Sequence, residues 1–97
     1  MSRVPSHVPS PGLPRALVLY KYDACPYCFR VMRGLARLGL SVPMRDTRQD
    51  PSARAELVAA TGGTQVPCLF IDGQPLLESA DILAWLEAYA TAGGAAR

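Results

Sequence analysis

The sequence of 97 residues has three cysteines and one histidine, and it has no long apolar run and no dense cluster of one charge. Three cysteines are an odd number, which argues against a framework of disulfides. The ten Lys and Arg residues are spread along the chain and the net charge is +2, so we expect no nucleic-acid partner. The charge-free stretch 57–71 contains Gly62, Gly63 and Pro67, and we therefore expect no membrane span.

The N-terminus lacks the apolar core of a signal peptide, so we expect the chain to be cytoplasmic. Residues 1–14 hold four prolines and three serines with little to bury, and they are predicted to form a disordered tail. With 49% apolar residues, residues 15–92 are sufficient for one domain with its own core, and residues 93–97 are predicted to fray. We expect a monomer.

The pattern of apolar residues and turn signals predicts the element order β-α-β-α-β-β-α. Pro43 weakens the second strand, which places it at a sheet edge. A βαβ unit followed by a hairpin gives an α/β fold, a four-stranded mixed sheet flanked by three helices. The predicted strands are 16–22, 40–46, 66–72 and 75–77, and the predicted helices are 26–38, 51–61 and one that starts at Ser79.

Two cysteines stand three positions apart in "ACPYC", residues 24–28. A structural zinc site needs about four ligands, and the only other Cys and His candidates are Cys68 and His7 of the tail, so we expect no metal. A structural disulfide between Cys25 and Cys28 would close a tiny loop and remove little entropy from the unfolded chain. Thiol chemistry is the interpretation that the residues favour.

The predicted strand before Cys25 and the helix after it give the two cysteines different roles. Backbone N–H groups at the start of a helix favour a thiolate, which is the nucleophile in disulfide exchange. Cys25 is therefore predicted to attack, and Cys28, one turn further on, to resolve the mixed disulfide. Cys68 is predicted to be a buried, inert thiol.

Two segments resemble glutaredoxins. "LYKYDACPYC" resembles the active-site segment of that family, with Pro26 and Tyr27 as the dipeptide between the cysteines. "QVP", residues 65–67, resembles a Thr-Val-Pro signature with Gln65 in place of Thr. The resemblance implies that Pro67 is cis and supports the active site, and that the Val66 backbone binds the cysteinyl part of glutathione.

A third segment, "LESADI", residues 77–82, is closer to the Glu-Ser element of glutathione transferase N-terminal domains and of transferase-like glutaredoxins. This resemblance implies that Ser79 and helix amides meet the γ-glutamyl carboxylate of glutathione, and that Glu78 or Asp81 meets its ammonium group. Lys21 is implied as the partner of the glycyl carboxylate, with Arg45 and Gln65 as weaker candidates. Tyr27 is expected to be exposed and to touch substrates.

Together these resemblances imply a thioredoxin fold and a glutathione-dependent thiol–disulfide oxidoreductase. Glutathione would be its co-substrate, its protein partners would be glutathionylated or disulfide-containing proteins, and the glutathione reductase system would serve it indirectly. Three alternatives stay open: a glutathione-ligated [2Fe–2S] cluster carrier, a transferase-like glutathione-binding module, and a small redoxin reduced by thioredoxin reductase.

Overall fold

The computed structural model of the protein describes residues 7–12 and 14–92, and within them the chain forms four strands and three helices. The observed order matches the predicted one. In sequence these elements are β1 (Leu17–Lys21), α1 (Pro26–Leu38), β2 (Met44–Asp46), α2 (Pro51–Thr61), β3 (Cys68–Ile71), β4 (Gln74–Leu77) and α3 (Ser79–Thr91).

The strands form one mixed sheet in the order β2-β1-β3-β4. β1 pairs parallel with β2 and antiparallel with β3, while β3 and β4 form a hairpin through Gly73, which has φ 85°. β2 is confirmed at an edge, although it is shorter than the predicted 40–46. Pro43 has no N–H to donate and contributes only its carbonyl, which accepts a bond from Leu19 at 2.9 Å.

The helices cover both faces of the sheet, as predicted. α1 and α3 pack on one face, where the core includes Leu19, Val31, Leu69 and Trp85. α2 packs on the other face around a smaller core of Tyr20, Ala53, Leu57 and Cys68. This arrangement brings the end of β1 and the start of α1 to one edge of the molecule.

Local signals fix the ends of α1 and α2. Cys25 is the N-cap of α1, and Gly39, with φ 70°, ends that helix in the left-handed conformation. Asp50 caps α2 by accepting bonds from the N–H groups of Ser52 at 3.0 Å and Ala53 at 3.4 Å. Both helices have proline at the first position.

One predicted core position of α1 is wrong. Phe29 recurs with Met32, Leu35, Ala36 and Leu38 at helical spacing, which predicts that it lies on the apolar face of this helix, but 57% of its surface is exposed. The helix buries a neighbouring stripe instead, because that stripe packs against the sheet and α3. Its buried residues are Cys28, Val31, Gly34 and Leu35.

The prediction of an unpacked N-terminal tail is also wrong for its described part. Val8 is only 7% exposed and belongs to the core beneath α3. The indole N–H of Trp85 donates to the carbonyl of Pro9 at 3.0 Å. Proline has no N–H group, so a proline-rich segment has few donors for pairing with a strand. Its carbonyls still accept hydrogen bonds, and the burial of one valine is enough to anchor it.

The predictions for residues 1–6, residue 13 and the frayed segment 93–97 lie outside the described residues. Within the part of the chain that the structure describes, none of the helices has the length and apolar character needed to cross a membrane.

Candidate active site

The sulfur of Cys25 sits at the start of α1. It accepts a hydrogen bond from the backbone N–H of Cys28 at 3.3 Å, while the N–H of Cys25 donates to the carbonyl of Tyr22 at 3.2 Å. The same sulfur lies 3.9 Å from the carbonyl oxygen of Val66. Backbone N–H groups at a helix start favour negative charge, so this position suits a nucleophilic sulfur.

The other two cysteines are fully buried. Burial raises the pKa of the Cys28 thiol to about 12, and a hydrogen bond to Cys25 contributes to the increase. Burial also raises the pKa of the Cys68 thiol, on β3, to about 12. Both thiols therefore stay protonated at neutral pH.

The loop before β3 lies beside Cys25. The Val66–Pro67 peptide bond is cis, as predicted. Val66 precedes the β3 ladder, which begins at Cys68, so its N–H and C=O are not used for pairing within β3. The loop therefore presents backbone polar groups next to the nucleophile.

Most residues predicted to bind glutathione line one cavity of about 440 Å³. Tyr27 forms an exposed wall of this cavity, with 60% of its surface accessible, and Val66 links the cavity to the sulfur of Cys25. We call this space the Tyr27 cavity. It is lined by Tyr27, Gln65, Val66, Pro67, Glu78 and Ser79.

The start of α3 opens into the Tyr27 cavity. Glu78 precedes the helix with φ 75°, a conformation that non-glycine residues rarely adopt, and it makes no side-chain capping bond. Its carboxylate instead accepts a bond from the amide of Gln65 at 3.2 Å. The Glu78 side chain therefore does not cap the first turn of α3.

Asp81 lies in the first turn of α3 but lines a neighbouring cavity of about 480 Å³. That cavity also contains Glu78 and His7, whose ring nitrogen is 3.3 Å from the carbonyl of Pro75. The structure thus places Asp81 next to the Tyr27 cavity, with Glu78 shared between the two spaces.

Lys21 is held by two carboxylates. Its ammonium nitrogen is 2.7 Å from Asp23 and 3.7 Å from Asp46, and 13% of its side chain is exposed. The hydrogen bond to Asp23 raises the pKa of Lys21, so the charge is kept but is already paired. Arg45, the weaker candidate, is likewise paired with two carboxylates of the α2 region.

A basic cleft that was not predicted from the sequence lies on the Tyr22 side of Cys25. It measures about 390 Å³ and is lined by Tyr22, Thr47, Arg48, Arg54 and Thr64. The carbonyl of Tyr22 bonds to the N–H of Cys25, and the Arg48 guanidinium lies 3.7 Å from the centre of the Tyr22 ring. One feature of the predicted fold could have indicated this cleft. β1 and β2 are parallel, so the residues that follow their carboxyl ends meet at the edge of the sheet where Cys25 lies.

Metal-ligand geometry is not seen in the described residues. Within residues 7–12 and 14–92, no group of three or more His, Cys, Asp and Glu side chains is placed to hold a metal ion.

Disulfide exchange requires one sulfur presented as a nucleophile and a second sulfur within reach of the intermediate. This α/β sandwich supplies both in the first turn of α1, and the protein is thus a thiol oxidoreductase with a thioredoxin fold. A sequence model of the family described as Glutaredoxin matches residues 17–76, more than half of the chain. The chain belongs to the glutaredoxin family.

Individual relatives agree with this assignment. "Glutaredoxin 3" of Escherichia coli strain K12 is 34% identical over 56 residues, which are 58% of this chain and 68% of that protein. The crystal structure of a buckwheat glutaredoxin–glutathione complex superposes with a TM-score of 0.66 at 23% identity, over 84% of this chain and 83% of that chain.

Glutathione Transferase E6 from Drosophila melanogaster has a TM-score of 0.59 and 32% identity to this chain. The match covers 72% of this chain and 33% of the transferase.

Proposed function

We propose that this protein reduces protein–glutathione mixed disulfides and protein disulfides at the expense of glutathione. The observation that supports this proposal best is that the sulfur of Cys25 lies 3.9 Å from the carbonyl of Val66, a residue of the Tyr27 cavity. A tripeptide disulfide in that cavity would have its sulfur next to the nucleophile. The name of the buckwheat complex shows that a protein of this fold binds glutathione.

In the proposed complex, the cysteinyl part of glutathione pairs with the Val66 backbone as a short strand would. The γ-glutamyl carboxylate lies against Ser79 and the first turn of α3, where backbone N–H groups favour an anion. The ammonium group of the same residue faces Glu78 and, from the neighbouring cavity, Asp81.

We assign the glycyl carboxylate to the basic cleft instead of to Lys21. The Lys21 ammonium is already shared by Asp23 and Asp46. Arg48 and Arg54 line open space, and within the described residues neither of them makes an ion pair. An arginine binds a carboxylate through two parallel hydrogen bonds, so this cleft suits a carboxylate that lies on the Tyr22 side of the sulfur.

In the monothiol cycle, the Cys25 thiolate attacks the glutathione sulfur of a mixed disulfide. A new disulfide forms between Cys25 and glutathione, and the substrate leaves as a thiolate that takes up a proton. The thiolate of a second glutathione then attacks the sulfur of the bound glutathione. Glutathione disulfide leaves and the Cys25 thiolate is restored.

In the dithiol cycle, Cys25 attacks a protein disulfide and forms a mixed disulfide with one of its sulfurs. Cys28 then loses its proton and attacks the Cys25 sulfur, which releases the reduced protein and leaves a Cys25–Cys28 disulfide. Two glutathiones reduce this disulfide and are converted to glutathione disulfide. Such a cycle suits a reducing compartment such as the cytoplasm.

The first experiment compares two sources of electrons. The Cys25–Cys28 disulfide form is offered either to glutathione, glutathione reductase and NADPH, or to thioredoxin reductase and NADPH, and NADPH oxidation is followed. We expect turnover with glutathione and none with thioredoxin reductase alone. Reduction by thioredoxin reductase alone would refute the proposal and favour a small redoxin of the thioredoxin type.

A second candidate is a transferase-like glutathione-binding module, which the 32% identity to the Drosophila transferase favours. It predicts glutathione binding and conjugation to a standard aromatic electrophile, without dependence on Cys28. We expect no conjugation, because the described residues form a single α/β domain.

A further inference from the structure

A groove runs along the solvent side of α1, next to α3, and has a volume of about 630 Å³. We call it the α1 groove. It belongs neither to the Tyr27 cavity nor to the basic cleft. α1 contributes Pro26, Phe29, Arg30, Arg33 and Arg37 to its lining, and α3 contributes Leu83 and Glu87.

The lining of the α1 groove is strongly basic. α1 contains no acidic residue, and the groove has one carboxylate, Glu87, against three guanidinium groups. Arg37 pairs with Glu87 at 3.3 Å, whereas within the described residues Arg30 and Arg33 make no ion pair. These arginines are three and four positions apart in the sequence, so the helix brings them onto one face. The groove therefore has an unbalanced positive charge.

The α1 groove also has an exposed aromatic residue. Phe29 is 57% exposed, and the Arg33 guanidinium lies 5.9 Å from the centre of its ring. Tyr27, two residues earlier, is 60% exposed. Exposed aromatic residues beside arginines are typical of surfaces that bind other proteins.

The position of the α1 groove relates it to Cys25. Pro26, at the start of the groove, directly follows the nucleophile, and Arg37 lies eleven residues further along the helix. At 1.5 Å per helical residue this distance is about 16 Å, which an extended segment of about five residues would span. A substrate segment of about five residues, with its cysteine bonded to the Cys25 sulfur, could thus extend along the groove as far as Arg37.

We propose that the α1 groove docks an acidic segment of the protein whose sulfur is exchanged at Cys25. Carboxylates of that segment pair with Arg30, Arg33 and Arg37, and an apolar side chain packs on Phe29. This proposal rests on the thiol–disulfide activity proposed above, and it adds a substrate preference: proteins with acidic residues close to the reacting cysteine.

An acidic protein segment suits the groove better than a nucleic acid. The Glu87 carboxylate in the groove wall would repel a continuous polyanion such as a nucleic acid. An acidic peptide avoids this repulsion if the residue that faces Glu87 is uncharged. The groove also leads to a thiol, and a protein substrate has the sulfur that this thiol attacks. Guanidinium groups bind carboxylates through paired hydrogen bonds.

The test uses two synthetic glutathionylated peptides of equal length, one with glutamates and a leucine around the cysteine, the other with glutamines in place of the glutamates. The kcat/KM for release of glutathione is measured with glutathione, glutathione reductase and NADPH. We expect wild-type protein to prefer the acidic peptide by about tenfold or more at low salt, and to lose most of this preference in 0.5 M salt, because charged surfaces mainly accelerate association.

Substitutions in the α1 groove test whether its side chains cause the preference for the acidic peptide. Replacing Arg30, Arg33 and Arg37 together by Gln should abolish it and leave the rate on the neutral peptide unchanged. Glu87→Gln should increase the preference, and Phe29→Ser should lower kcat/KM for both peptides, because both carry the leucine. The matched control is Arg15→Gln, which removes one charge before β1, at the end of that strand remote from Cys25. Circular dichroism confirms folding of each variant.

A binding measurement separates this proposal from the proposed function. A fluorescent acidic peptide with serine in place of cysteine reports docking by anisotropy without any reaction, and we expect the triple variant to bind it at least about tenfold more weakly. Inactivity on both glutathionylated peptides with normal docking would refute only the proposed function. Three outcomes would overturn the docking proposal: equal rates on both peptides, a preference that survives in the triple variant, or tighter binding of single-stranded DNA than of the peptide.

Discussion

The backbone N–H of Cys28 donates a 3.3 Å hydrogen bond to the sulfur of Cys25, so the resolving residue also helps to hold the attacking one. The two thiols nevertheless differ chemically. Cys25 caps the helix, whereas Cys28 is fully buried and has a pKa raised to about 12, chiefly by burial. The order that we propose for attack and resolution is therefore consistent with the geometry of one turn of α1.

Replacing each cysteine by serine should have unequal effects. Cys25→Ser removes the nucleophile, so turnover of a glutathionylated peptide should fall at least about a hundredfold. Cys28→Ser keeps the backbone N–H that bonds to the Cys25 sulfur, so its rate on the same peptide should stay within about threefold of wild type. Equal inactivity of both variants would rule out the monothiol cycle.

The raised pKa values predict how many thiols react with iodoacetamide. At pH 9, three units below a pKa of about 12, the thiolate fraction of Cys28 and Cys68 is about one in a thousand. Mass spectrometry of the reduced, folded protein should therefore show Cys28 and Cys68 largely unmodified between pH 7 and pH 9. All three cysteines should react in denaturant, where burial is lost. Rapid modification of Cys68 in folded protein below pH 9 would contradict its burial.

Much of the fold was predictable because its signals are local. Pro26 starts α1 and Gly39 ends it, which gave both ends of that helix from adjacent residues. Asp50 and Pro51 did the same for the start of α2. The cis peptide before Pro67 and the exposure of Tyr27 were also predicted, through the resemblance to glutaredoxins.

The features that were not predicted depend on contacts between residues far apart in sequence. The β1–β2 register sets Asp46 opposite Lys21, so the residue predicted to bind the glycyl carboxylate also takes part in an ion pair. Packing against α3 decides which stripe of α1 is buried, and this leaves Phe29 outside. The gathering of Arg48 and Arg54 beside Tyr22 likewise depends on how α2 meets the sheet.

The packed N-terminal segment gives a stability prediction. Val8→Ala removes two buried methyl groups, so the free energy of unfolding should fall by about 1 to 3 kcal/mol in urea denaturation. The matched control is Val58→Ala on α2, where Val58 is 39% exposed, and its effect should be clearly smaller. Equal effects of the two substitutions would mean that Val8 does not contribute to the core in solution.

The basic cleft gives a prediction on glutathione affinity. Arg54→Gln removes one of the two guanidinium groups assigned to the glycyl carboxylate, so the KM for glutathione should rise about tenfold. The kcat at saturation should change little, because this charge pair stabilises the bound substrate and the transition state equally. The comparison is Lys21→Gln: since Lys21 is already bonded to Asp23 and Asp46, we expect a smaller increase in KM. Arg15→Gln, remote from the cleft, controls for the loss of one positive charge.

If Lys21→Gln raises the KM more than Arg54→Gln does, the glycyl carboxylate is bound by Lys21, as the resemblance to glutaredoxins first implied. An unchanged KM in both variants, with normal turnover, would place the carboxylate outside this edge of the sheet.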